Sequence, residues 1–198
     1  MVLAGLAVIR ATTTQQYQAA AALCLDNFAT VPFPAVLHRP REIEKWSNLL
    51  FQRASGAEQH QLIVALDGDE DDSTLIGCVE CGLLPPPPCR ISFPPQPYVA
   101  NLVVSPSARR SGVAKALVLK AEHLAHSWGY SELFCKVNRA NIPARRLYDQ
   151  LGFRPIFVQN LPSDWTNKQQ SNIFMAKPLN ASDMAPSSAR DPGIRSSG

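Results

Sequence analysis

Long apolar runs are missing from this sequence. No segment approaches the ~20 consecutive apolar residues that a bilayer-spanning helix needs, which excludes a helical membrane span. Charge is sparse, with 18% charged against 45% hydrophobic residues, and that balance excludes a wholly disordered or collagen-like chain. No run of consecutive basic residues exceeds two, so a polybasic tail is absent. Nucleic acid is not an expected partner, because no basic–aromatic stripe or recognition module is present. Cysteine is scarce and odd in number: Cys24, Cys78, Cys81, Cys89 and Cys135. Several lie in apolar runs, where a free thiol acts as a small buried hydrophobe, and this points to a reducing, intracellular compartment. Cys78-Val-Glu-Cys81 has metal-like spacing, but no second pair follows, and strand residues three apart face opposite sides. No metal site is expected. Val2–Ile9 is apolar but lacks the preceding basic region of a signal peptide.

What is present suffices for one domain. A chain of 198 residues buries a core without disulfide staples or a structural metal. Five of its sixteen acidic residues sit in the run 67–72, leaving nineteen Lys and Arg against eleven acids elsewhere. That excess suits an anionic cofactor or an acidic surface.

The pattern alternates strands and helices. Leu6–Thr12 reads as a first strand. Thr13 or Thr14 caps a helix to about Phe28, with Tyr17, Ala20 or Ala21, Cys24 and Phe28 at helical spacing. Pro32 and Pro34 end it. Pro40–Gly56 reads as a second helix with Ile43, Trp46, Leu49 and Leu50 as its apolar stripe. Strands Gln61–Leu66 and Thr74–Leu84 flank the acidic run, a solvated hairpin loop. Seven of the thirteen residues 85–97 are proline, so this stretch is expected to be extended and stiff, with neither helix nor central strand. It is an insertion or a docking segment for a protein partner.

Tyr98–Val104 is a strand stopped by Pro106, and Ser111–Gly129 is a long helix with Val113, Leu117, Ala121, Leu124 and Trp128 on one side. Leu133–Val137 is a short strand. Ile142–Leu151 is a helix that tolerates Pro143 in its first turn and ends at Gly152. Strands Arg154–Gln159 and Asn172–Lys177 close a domain of residues 1–179, and residues 180–198 read as a disordered tail. The expected class is α/β, a mixed central sheet flanked by helices.

Chemistry concentrates after the strand Tyr98–Val104. Arg109 and Arg110 follow it, and the small residues Ser111, Gly112 and Ala114 open a long helix. Small residues let a phosphate approach the backbone, where free N–H groups and the helix dipole meet its charge. Neither G-x-G-x-x-G nor a Walker G-K-[ST] is present.

The segment Arg109-Arg110-Ser111-Gly112-Val113-Ala114 resembles the acetyl-CoA signature R/Q-x-x-G-x-G/A of the GCN5-related N-acetyltransferase (GNAT) superfamily. A second stretch, Asn141-Ile-Pro-Ala144-Arg-Arg-Leu147-Tyr148-Asp-Gln-Leu-Gly152-Phe153, is similar to that family's N-x-x-A-x-x-L-Y-x-x-x-G-F. The wording around Val113–Leu117 and His126–Gly129 is similar to plant, algal and cyanobacterial members, which suggests a plastid, with the cytoplasm as alternative.

The resemblance implies an acetyl-CoA N-acyltransferase fold whose strands Tyr98–Val104 and Leu133–Val137 splay apart. Backbone groups of Leu102, Val103 and Val104 would then hold pantetheine, and the N–H of Val103 or Val104 would meet the developing oxyanion. The N–H groups from Arg110 through Ser111, Gly112 and Val113 to Ala114 would cradle the pyrophosphate, with Arg109 in the leading place. Asn141 would hydrogen-bond the cofactor arm beside Ala144, and Tyr148 would protonate the departing thiolate.

Many members carry a Glu on the central strand, where Asn101 stands here and cannot take a proton. Glu80 is the expected base through water, with Glu132 second, while His123 and His126 on the long helix fit a surface or core edge. Phe33, Tyr98, Asn101 and Trp165, with the loops Ala29–Pro40 and Leu161–Lys168, would line the acceptor channel. The implied activity is acetyl transfer from acetyl-CoA to a primary amine, a protein N-terminus or lysine. The alternatives are a small-molecule amine acetyltransferase and a GNAT-fold binding or assembly subunit.

Overall fold

The computed structural model describes residues 5–28, 39–56, 59–68, 73–160 and 171–179. Within them the elements run β1 (Ala7–Arg10), α1 (Thr14–Phe28), α2 (Arg39–Gly56), β2 (His60–Asp67), β3 (Thr74–Leu84), β4 (Gln96–Val104), α3 (Val113–Ser127), β5 (Glu132–Asn138), α4 (Ile142–Gln150), β6 (Arg154–Asn160) and β7 (Ser171–Pro178). The seven strands form one mixed sheet in the order β1-β2-β3-β4-β5-β7-β6. Only β4 and β5 are parallel neighbours; the other pairs are antiparallel.

Local chemistry sets the helix starts. Thr13 Oγ1 accepts from the Gln16 N–H (3.2 Å) while Gln16 Oε1 accepts from the N–H groups of Thr12 and Thr13 (2.8 and 3.2 Å), a reciprocal cap on α1. Asn141 Oδ1 caps α4 by accepting from the Ala144 N–H at 3.1 Å.

Strand alternation then divides the core. Leu62, Val64 and Cys78 pack with Tyr17, Ala21, Cys24 and Leu50 under α1 and α2. Ile63, Ala65, Val79 and Cys81 pack with Leu117, Ala121, Tyr148 and Phe153 under α3 and α4. Cys78 and Cys81 thus face opposite sides of the sheet, and all five thiols are free. Among the described residues no cluster of His, Cys, Asp and Glu could hold a metal ion.

Two departures from the expected pattern matter for the site. The proline-rich stretch is not wholly irregular: Pro88–Arg90 is a 3₁₀ turn, and β4 begins at Gln96, so Pro97 lies in a central strand opposite Leu83. Its missing N–H is tolerated because pairing with β5 starts only at Tyr98, which leaves Pro97 with one neighbour. The second departure is a bulge. Cys78 pairs with Val103 and Glu80 with Ala100, so β4 carries one more residue than β3 across this step, and Asn101 there adopts φ 50°.

Candidate active site

β4 and β5 pair only at Tyr98–Phe134 and Val99–Cys135. From Ala100 to Val104, therefore, β4 has no strand partner on its β5 side among the described residues. A parallel pair that parts after two residues leaves a wedge bordered by backbone polar groups. Tyr148, projecting from α4, shares a core cluster with Val99 and Cys135, the last residues before the parting. Its ring meets Phe153 edge-on at 5.3 Å. Burial, with a smaller contribution from Cys135, pushes its pKa far above the ordinary phenol value, so the hydroxyl keeps its proton.

The turn after β4 leaves a run of backbone amides unpaired. Arg110 (φ 67°) and Gly112 (φ 92°) both adopt left-handed backbone, and a Cβ at Gly112 would meet nothing within 4 Å. The N–H groups of Arg110, Ser111, Gly112, Val113 and Ala114 have no hydrogen-bond partner among the described residues. Gly112 precedes the first turn of α3, where such groups and the helix dipole favour negative charge.

The flanking side chains hold the turn in place. Arg109 donates to Asn27 Oδ1 (2.6 Å) and to the Val104 carbonyl (3.3 Å), tying the turn to α1, while Ser111 Oγ donates to the Ala108 carbonyl (2.6 Å). Val113 anchors the helix in the core; Leu102 and Val104 pack against that same side and Val103 on the opposite one.

Above the sheet on the α1–α2 side lies a polar cluster. Glu80 is 2% exposed. Its Oε2 accepts from His60 Nε2 (2.9 Å) and Arg53 Nη1 (3.5 Å), and its Oε1 accepts from Asn101 Nδ2. Burial alone would raise its pKa, but the hydrogen bonds from His60 and Asn101 and the charges of His60 and Arg53 outweigh it and hold the carboxyl below its ordinary range. Glu80, expected as a base acting through water, is thus a buried carboxylate with three donors, and each of those bonds reduces its readiness to take a proton.

The His60 ring lies in the space a side chain would take at Gly82, since a Cβ there would fall 2.1 Å from Nδ1. Sequence reasoning missed His60 and Arg53. The signal that could have found them is Gly82, two residues beyond Glu80 on the same strand face and opposite His60 in the β2–β3 register.

Other expected site residues lie elsewhere. Tyr98, expected on a channel wall, is buried against Phe134 (5.5 Å) with Phe174 and Ala176, and its hydroxyl has no hydrogen-bond partner among the described residues. Burial chiefly, with Cys89 and Cys135 contributing, pushes its pKa up to about 12. Glu132 stands at the N-terminal end of β5, away from the parting, and pairs with Arg90 (2.5 Å) of the proline-rich stretch. His123 and His126 are exposed on α3. Phe33 and Trp165, with most of the two loops that carry them, lie outside the described residues.

The model of the acetyltransferase (GNAT) family matches residues 25–153. The chain belongs to that family. A curated relative, GCN5-related N-acetyltransferase 4, chloroplastic, of Arabidopsis thaliana, is 36% identical over 86 residues, which span 42% of this chain and 30% of the relative.

Solved N-acetyltransferase structures share the fold at low identity. An N-acetyltransferase from Staphylococcus aureus Mu50 superposes with TM-score 0.67 at 16% identity, covering 89% of this chain and 100% of that one. The ribosomal-protein-S18-alanine N-acetyltransferase of Escherichia coli superposes with TM-score 0.60 at 19% identity, covering 93% and 98%. GNAT enzymes take acetyl-CoA, and this GNAT chain offers features that fit it: unpaired amides at Arg110–Ala114 for a diphosphate and a wedge between β4 and β5 for an extended arm. No helix among the described residues is long and apolar enough to cross a membrane.

Proposed function

We propose that this chain transfers the acetyl group of acetyl-CoA to a primary amine of a protein or peptide, an N-terminus or a lysine, by direct attack. The observation that carries the reading is the run of N–H groups at Arg110–Ala114, unpaired among the described residues, directly after the half of β4 that does not pair with β5, with Tyr148 in the core cluster that holds Val99 and Cys135. Bound acetyl-CoA supplies an activated thioester carbonyl.

The chain's residues do the rest. The amides of Arg110 to Ala114 hold the diphosphate, and Arg110 adds a mobile charge. Backbone groups of Leu102, Val103 and Val104 hold the extended arm, with the N–H of Val103 or Val104 meeting the oxygen that gains charge. Asn141 spends its Oδ1 on the α4 cap beside Ala144, which leaves its Nδ2 to donate to the arm. As the C–N bond forms and the C–S bond breaks, the amine releases one proton to water, and the sulfur receives one from Tyr148. Solvent returns the proton to the phenol. Glu80 contributes negative charge that favours the approach of a cationic amine.

A protein acceptor is supported by the ribosomal-protein-S18 enzyme that shares the fold, and a plastid location by the chloroplastic relative. The test is mass-spectrometric detection of acetyl transfer to peptides and small amines, with wild type and Tyr148→Phe compared and acetyl-CoA binding measured on both. The expected result is peptide acetylation that falls about 100-fold in the variant while acetyl-CoA affinity is kept. Transfer to small amines alone would refute the protein acceptor. Absence of acetyl-CoA binding would refute the whole reading.

A further inference from the structure

We propose that the side-chain oxygen of Asn101 receives an N–H of the acceptor amine, and that Glu80, backed by His60 and Arg53, is the positioning residue that turns this oxygen outward. The inference rests on the acetyl-transfer reading above. Asn101 occupies the bulge of β4, two residues past Val99, where pairing with β5 ends. It is one of two non-glycine residues with positive φ among those described, so the bulge gives its side chain a setting that regular pleating would not.

The two ends of its carboxamide differ chemically. Glu80 accepts at both oxygens, from Asn101 Nδ2 on one and from His60 Nε2 and Arg53 Nη1 on the other. A carboxylate has no hydrogen to give, so the end of Asn101 facing it must be the NH2 group; a half-turn of the amide would set two acceptors against each other. The oxygen is therefore directed away from Glu80. It has no hydrogen-bond partner among the described residues, and Asn101 is only half-buried.

An amine attacking a thioester needs one N–H held and its lone pair aimed at the carbonyl carbon. A fixed amide oxygen beside the parting of β4 and β5 provides that hold and leaves the lone pair free, because it does not take the proton. The costly burial of an ionised Glu80 then has a purpose. Among the described residues, the charged and titratable groups beside this pair are Glu80 and Cys78 on β3, His60 on β2 and Arg53 on α2.

The test varies the acceptor, a peptide with a free N-terminus and one lysine, at saturating acetyl-CoA, and measures acetyl-CoA binding separately. Glu80→Gln can present either end of its amide to Asn101, and Asn101→Ala removes the oxygen. Each is expected to raise the acceptor KM about tenfold with acetyl-CoA affinity kept, and the double variant to rise no further than either single one. Asn101→Asp sets a second carboxyl against Glu80. Once the two share a proton, the acid can donate to Glu80 and present its carbonyl outward. Its KM relative to wild type is therefore expected to fall as pH is lowered from about 8 to about 6, a change that mere structural damage does not produce.

Should Glu80→Gln fail to fold, the pH response of Asn101→Asp decides alone. Unchanged acceptor KM in the single variants, a double variant near the product of the two, or a flat pH response would each overturn the inference while acetyl transfer stands. A wild type that acetylates no amine would remove both.

Discussion

Gly82 is where a single added carbon tests the polar cluster. Its three nearest neighbours, measured from the position of an added Cβ, are all atoms of the His60 ring, at 2.1, 2.7 and 2.8 Å. Gly82→Ala must therefore expel the ring and break the 2.9 Å hydrogen bond from His60 to Glu80. A hydrogen bond to a charged group contributes about 1.5–3 kcal/mol. Replacing glycine within a strand returns about 0.5–1 kcal/mol through backbone entropy. The expected net loss is about 1–2 kcal/mol, roughly 3–6 °C in Tm for a chain of this size.

Urea and thermal unfolding of Gly82→Ala, His60→Ala and the double variant give the assay. The double variant should be no less stable than His60→Ala alone, because the ring that collides with the new methyl is gone. A Gly82→Ala protein as stable as wild type, or two costs that simply add, would refute the placement of His60 over Gly82.

Two further outcomes follow from buried polar groups. The folded-state pKa of Glu80 lies below its ordinary value of 4.5, so its contribution to stability is fully present above that value and is lost as pH falls through the folded pKa. The stability difference between wild type and Glu80→Gln, read from urea midpoints, should thus shrink as pH falls below 4.5. Tyr98→Phe removes a buried hydroxyl that has no partner among the described residues, so Tm should stay level or rise, by about 1 kcal/mol of stability at most; a clear drop would show that the hydroxyl is bonded after all.

Much of this protein was decided locally. Thr13 with Gln16 caps α1, Asn141 and Gly152 bound α4, and the alternation of β3 sends Cys78 and Cys81 to opposite faces; each depends on residues within a few positions, so the chain itself spells it out. The strand–helix order and the Arg109–Ala114 turn were legible for the same reason. What the sequence alone could not settle are contacts between distant residues. Arg109 meets Asn27, and Glu80 gathers Arg53, His60 and Asn101 from three other elements. Those meetings depend on strand register, and register turns on two irregularities, one between Ala65 and Leu66 and one opposite Glu80. A one-residue shift sends every later side chain to the other face. Whether Glu80 ends on an exposed face or as a buried carboxylate with three donors was therefore a matter of tertiary structure, because desolvation and donor count are set by neighbours that only the folded sheet brings together.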